Sequence, residues 1–189
     1  MDSALLSKTA AAMVAGGKGI LAADESAGTC EKRFQTVNVE CTEENRRTYR
    51  GLLFTTPGAS QHISGVILHD ETLRQSGNDG ATFPAYLSKN GMIPGIKVDK
   101  GVVNIPLTAG GEKVTEGLDG LDKRLAEYSK LGARFAKWRA VTTIGESNSI
   151  LIPSRTSLTA KPHRWAPYAP SSTPDPTVRS STPEVLPTG

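Results

Sequence analysis

The chain has 189 residues, with 22 basic and 19 acidic side chains and a formal net charge of +3. That length suits one domain with a real core, and the mild, dispersed charge argues against nucleic acid as a partner. Two cysteines, Cys30 and Cys41, are too few for a disulfide framework or a structural zinc site, and no apolar run approaches membrane-spanning length.

In chain order, "ALLSKTAAAMVAGG" predicts a helix closed by Gly16 and Gly17, and "GILAADES" a short strand running into a polar turn. "TEENRRTYRGLLF" predicts a helix with Thr42 as N-cap and acids in its first turn. "ISGVILHDET" reads as the next strand, "FPAYLSKNG" as a helical turn, and "GIKVDKGV" as a third strand. Leu118, Leu121, Leu125 and Tyr128 recur at steps of three and four, marking a helix ended by Gly132. "FAKWRAV" is the fourth strand. Strands alternating with helices imply parallel β/α units.

Composition changes near Gly145. All of the 19 glycines except Gly189 lie at or before it, and 8 of the 12 prolines lie beyond Ile150. The expected organisation is therefore an ordered unit over residues 1–145 and a Pro/Ser/Thr-rich tail over 146–189, disordered or frame-disrupted.

Each strand ends in polar residues: Asp24 and Ser26, Asp70 and Glu71, Lys97 and Asp99, Lys137 and Arg139. Both a β/α barrel and an open doubly wound sheet collect functional groups at those ends, so the pattern locates chemistry without choosing the architecture. "RFAKWRAV" sharpens the point. In extended geometry Phe135, Lys137, Arg139 and Val141 share one face. Two long cations there mean either a wet edge strand or a cavity built for an anion. Lys97 and Asp99, two residues apart on one face, could simply pair. For Ser26 and Thr29 the bland role is helix capping, which is compatible with receiving a phosphate at the same helix end. His62, His69 and His163 show no metal-ligand spacing, so no metal and no cofactor are expected. The Gly-rich "TAGGEKVTEG" lacks the lysine-serine ending of a P-loop and reads as a turn.

Six blocks, "KGILAADESAGTCEKRF", "TEENRRTYRGLLFTTPG", "ISGVILHDETLRQ", "GIKVDKGV", "TEGLDGLDKRLAEY" and "GARFAKWRAV", together resemble the class I fructose-1,6-bisphosphate aldolase family. They come in that family's order and spacing over about residues 1–145. The resemblance implies the α/β class, the first four or so units of a (β/α)8 TIM barrel. It also implies metal-free, Schiff-base cleavage of fructose 1,6-bisphosphate to dihydroxyacetone phosphate and glyceraldehyde 3-phosphate, as in glycolysis and, reversed, gluconeogenesis. It further implies a cytoplasmic protein, a sugar phosphate substrate and a homo-oligomer, with neither nucleic acid nor membrane as partner.

Carried over by motif, Asp24 resembles the aspartate that helps the imine form and steers protons. Lys137 resembles the lysine beside the imine-forming lysine, where a second cation favours the neutral amine. Arg139 would support the surrounding carboxylates. Lys97, Ser26 and Thr29 resemble the cradle of the C6 phosphate, with threonine at position 29 where the family often has serine. Arg33 and Arg46 match arginines near the two phosphate ends.

In the family the imine lysine lies on the sixth strand and the acid/base glutamate on the fifth. The chain is expected to end before the sixth, and "STPEVLPTG" places Thr182 where that glutamate belongs, leaving Glu184. The expected outcome is a chain inactive by itself. Two rivals stand beside it: a non-catalytic phosphosugar-binding or subunit-interaction module, and an enzyme using Lys137 itself as the imine lysine, as transaldolases do on an equivalent fourth strand.

Overall fold

The structure, a computed structural model, describes residues 3–106 and 112–141. The proposed tail, including Thr182 and Glu184, and residues 108–111 of the Gly-rich segment lie outside the described residues. The elements in order are α1 (Ser3–Met13), β1 (Gly19–Ala23), α2 (Ala27–Gln35), α3 (Glu43–Phe54), α4 (Ala59–His62), β2 (Ile63–Leu68) and α5 (Asp70–Arg74). There follow α6 (Phe83–Lys89), β3 (Ile93–Lys97), β4 (Val102–Asn104), β5 (Lys113–Thr115), α7 (Leu121–Lys130) and β6 (Phe135–Lys137).

The helix signals act as the sequence suggests. The Thr42 hydroxyl accepts the Asn45 amide at 3.1 Å, and Glu43 and Glu44 sit in the first turn of α3, where the helix dipole favours anions. Thr82 caps α6 in the same way, with Pro84 in the opening turn that needs no amide donor. Gly132, at φ +107°, ends α7 in a conformation that side-chain-bearing residues avoid.

β1, β2, β3 and β6 form a parallel sheet in that spatial order, and β4 and β5 form a separate antiparallel hairpin. Alternate strand residues Ala23, Val66, Leu68, Ile96 and Val98 face the helices and build the core with Phe54, Leu73, Phe83, Leu87, Leu125 and Tyr128. The opposite face carries an apolar row in which Ala22, Ile67, Gly95 and Phe135 are consecutive register partners. The Phe135 ring lies across this face. A Cβ on Gly95 would stand 2.2 Å from the ring and one on Gly65 3.2 Å, so both glycines make room for it.

Helix α2 follows the helix end expected at Ser26 and Thr29, and it packs through the buried Cys30 and Phe34. Two features differ from the sequence expectation. Segments 102–104 and 113–115 pair as a hairpin. The fourth strand stops at Lys137, because its partner β3 stops at Lys97 and the pairing has nothing further to extend on.

Gly95→Ala should lower stability by about 1–3 kcal/mol, the usual penalty of overpacking. In the same chain Phe135→Leu should recover most of that loss. Urea unfolding of the two single variants and the double variant tests this, and simple additivity would show that the ring does not press on Gly95.

Candidate active site at the carboxyl ends of the strands

The Lys137 ammonium donates to Asp24 Oδ2 at 2.8 Å, joining residues 113 positions apart. Asp24 follows β1 and Lys137 ends β6, the two outer strands of the sheet. In a flat sheet three strand spacings would separate them by about 14 Å. The contact therefore requires the sheet to curl, with both side chains on its concave face.

Lys97 is the register partner of Lys137 and stands on the same face. Its ammonium donates at 2.7 Å to Asp99 Oδ1 and at 2.7 Å to the Asp99 carbonyl. The bland pairing read from the sequence is present, and it consumes two of the three ammonium donors. The Asp99 side chain is 1% exposed. Burial pushes its carboxyl up, but the Lys97 hydrogen bond and charge, the Gly101 amide and the Lys137 charge outweigh it and hold it below the usual range.

Ser26 is the N-cap of α2, yet its hydroxyl makes no capping bond to the helix. It lies 3.2 Å from the Thr29 hydroxyl instead, so the two donors form an exposed pair at a helix N-terminus. Arg33 and Arg46 are already engaged. Arg33 bonds Glu25 and donates to the Tyr49 hydroxyl at 2.8 Å, while its side chain remains 55% exposed. Arg46 forms a two-pronged bridge to Glu71 at 2.8 and 2.7 Å. Arg139 lies beyond β6 and is exposed, and its carbonyl accepts the Thr115 hydroxyl at 2.8 Å. The structure thus brings Asp24, Lys137 and Lys97 to one rim and Ser26 to Thr29. Arg139 stands outside that group.

Sequence reasoning missed the supports of this rim. Arg50, buried to 2% exposure, bonds Glu25 through its guanidinium, donates to the Glu25 carbonyl at 2.9 Å and lies 5.2 Å from the Tyr49 ring centroid. Burial raises the Glu25 carboxyl, but its backbone hydrogen bond, Arg50 and Arg33 bring it below the ordinary value. The residue after Asp24 is thereby pinned to α2 and α3 at once. His69 continues β2 in extended geometry, with φ −80° and ψ 156°, level with Lys97 by the Leu68–Ile96 register. Burial lowers its affinity for a proton, Arg50 and Lys97 lower it further, and Glu71 and Asp70 oppose them. Among the described residues no cluster of three or more His, Cys, Asp or Glu side chains is arranged to hold a metal ion, and no helix is long and apolar enough to cross a membrane.

Parallel β/α units with lysines and carboxylates gathered at the carboxyl ends of the strands define an α/β protein of the barrel type, with an enzyme-like rim. A family model, the class-I fructose-bisphosphate aldolase, matches residues 5–189, and the chain belongs to that family. A relative named probable fructose-bisphosphate aldolase class 1, from Xylella fastidiosa strain Temecula1, is 60% identical over 165 residues, covering 87% of this chain and 48% of its own length. Cytosolic fructose-bisphosphate aldolase 5 of Arabidopsis thaliana is 54% identical over 164 residues, covering 87% of this chain and 44% of its own. The solved aldolase of Plasmodium falciparum, a complex with TRAP and a small-molecule inhibitor, superposes with a TM-score of 0.70 at 54% identity, covering 73% of this chain and 40% of that one. The fold is that of the aldolase TIM-barrel family, and the chain spans about half the length of the curated relatives it matches.

The depressed groups share one sign. The unfolded chain protonates His69 near 6.5 and carboxylates such as Glu25 and Glu71 near 4.5, whereas the folded chain resists both. Stability should therefore hold above pH 6.5, fall gently below it, and fall steeply through the carboxylate range at about 4. Thermal melts across this range test it, and His69→Phe should flatten the upper limb alone. A limb that persists in His69→Phe would assign it to another group.

Proposed function

We propose that this chain supplies one half of a class I aldolase site for reversible cleavage of fructose 1,6-bisphosphate to dihydroxyacetone phosphate and glyceraldehyde 3-phosphate. The observation that carries this reading is the 2.8 Å contact between Lys137 and Asp24. A carboxylate in hydrogen-bond reach of an ammonium, on the concave face, suits the handling of protons around a carbinolamine. Asp24 accepts and returns a proton during imine formation. Lys137 supplies positive charge that favours the neutral form of a neighbouring amine nucleophile.

Lys97, with Ser26 and Thr29, grips the C6 phosphate through one ammonium donor, two hydroxyls and the N-terminus of α2. Arg33 reaches the same end with its exposed guanidinium, and Arg46 acts near the other phosphate when it exchanges Glu71 for the ligand. Arg139 supports the carboxylates that complete the site. The protein is cytoplasmic, as the printed name of the Arabidopsis relative suggests, and its assembly is homo-oligomeric. A second reading makes Lys137 itself the imine lysine, and the adjacent Asp24 carboxylate favours it, since an imine-forming lysine needs such a proton acceptor.

Borohydride trapping with dihydroxyacetone phosphate, followed by mass spectrometry, separates the two readings. The expected result is no adduct on Lys137 and no cleavage of fructose 1,6-bisphosphate by the chain alone. Addition of the complementary C-terminal half of a full-length relative should restore cleavage. Lys137→Ala or Asp24→Ala should then reduce it by about 10²–10⁴-fold, the usual weight of a proton-handling group. An adduct on Lys137 would establish the second reading. Failure of complementation with a folded chain, in the absence of any adduct, would leave a non-catalytic module.

A further inference from the structure

We propose that Asp99 is a positioning residue for Lys97, fixing the ammonium so that its remaining donor is presented to the ligand phosphate. The inference rests on the reading of Lys97 as part of the phosphate grip. A free lysine samples many rotamers on its flexible stem. Here Nζ is held by two acceptors of one residue, Asp99 Oδ1 and the Asp99 carbonyl, each at 2.7 Å. A two-point hold leaves one N–H and a defined direction for it.

Asp99 can serve as an anchor because its own backbone is clamped from three sides. The Val98 amide donates to the Lys137 carbonyl at 3.1 Å, tying the segment to β6. The Lys100 amide donates to the Glu116 carbonyl at 2.9 Å, and the Glu116 amide to the Gly101 carbonyl at 2.9 Å, tying it to the hairpin. From α7, Arg124 donates to the Val98 carbonyl at 3.0 Å and also bonds the Gly117 carbonyl. Gly117 fits this junction for two reasons. Its φ is +122°, and a Cβ there would stand 3.0 Å from the Lys100 nitrogen and 3.1 Å from the Val98 oxygen. The Gly101 amide, 3.3 Å from Asp99 Oδ1, completes the fixing of the carboxylate.

The opposite expectation is equally definite, which makes the proposal sharp. A carboxylate beside an anion site repels the ligand, so charge alone predicts that removing Asp99 tightens binding. Positioning predicts that removing it weakens binding, and that asparagine, which keeps an acceptor oxygen without the charge, restores much of the affinity.

The test uses the full 189-residue chain. Lys97 is labelled competitively with acetic anhydride and its rate is read by peptide mass spectrometry. Held by the backbone carbonyl of residue 99 alone, Lys97 in Asp99→Ala should react about tenfold faster, as expected for loss of the charge-assisted hydrogen bond to Oδ1, and in Asp99→Asn by an intermediate factor. Equal rates in the wild type and both variants would overturn the proposal, whatever the chain binds. Should Asp99→Ala fail to fold by circular dichroism, Asp99→Asn decides alone, and a wild-type rate overturns it. Calorimetric binding of glyceraldehyde 3-phosphate gives the second readout: Asp99→Ala weakens it about tenfold, Asp99→Asn recovers most of the loss, and Asp99→Ala adds nothing in a Lys97→Ala background. Tighter binding by Asp99→Ala would reduce Asp99 to a mere charge and overturn the proposal. A labelling response without any effect of Lys97→Ala on binding would leave the anchoring role standing and remove Lys97 from the phosphate grip.

Discussion

One contact depends on everything else being in place. Lys137 meets Asp24 across the concave side of a sheet in which their strands are the outermost of four. No local interaction could bring them together, since 113 residues separate them in sequence. Their approach integrates the right-handed strand twist, three parallel registers and the packing of helices on the convex side. It also explains the glycines. Curling crowds the concave face, and the Phe135 ring occupies the space just below the polar rim, over Gly95 and Gly65. The apolar floor and the charged rim are consecutive rows on the same strands.

The rim is organised as compensated pairs. Asp24 answers Lys137, Asp99 answers Lys97, Glu71 answers Arg46, and Glu25 answers both Arg33 and Arg50. Exposed pairs of this kind contribute little to stability, but those with one member enclosed are sensitive to loss of a partner, because the remaining charge stays desolvated. Beside Asp24 and Arg50, the enclosed members here are Glu25 and Asp99. Each lies one or two residues after a rim residue, Asp24 or Lys97, and each is tied to elements distant in sequence. Asp24 and Lys97 are thus flanked by neighbours anchored to other elements.

Much of this was legible in the sequence, for local reasons. The strand-helix alternation, the Thr42 cap and the Leu121–Leu125–Tyr128 stripe are short-range patterns, and each yields the element that its chemistry favours. The polar ends of the strands located the rim, and the six motif blocks pointed to the family. The extent of helix α2 beyond its expected start at Ser26 and Thr29 was not legible, because Gly28 and Thr29 give "AGTC" a weak helical preference that burial of Cys30 and Phe34 overrides. Nor was the end of the fourth strand, where the alternation of Lys137 and Arg139 suggested one face. Arg139 lies beyond the paired strand and is exposed, because β3 offers no partner beyond Lys97. The burial of Arg50 was hidden among the charges of "TEENRRTYR", which resemble a solvated helix face until Glu25 is known to sit beneath it.

That this rim carries so many carboxylates beside its cations follows from the cost of leaving those cations alone. Converging lysines and arginines repel one another, and partly buried cations shed water that must be replaced. Carboxylates supply that replacement, and they do so with direction, because each accepts along defined lone pairs. On the proposed reading, a dianionic sugar phosphate would exchange one set of acceptors for another instead of entering a field of unpaired charge. The exchange is easiest where the carboxylate is exposed enough to be resolvated, as at Arg46–Glu71, and hardest where it is enclosed, as at Lys97–Asp99. On the proposed reading, Arg46 is therefore the cation suited to changing partners, whereas Lys97 would meet a ligand with Asp99 still attached.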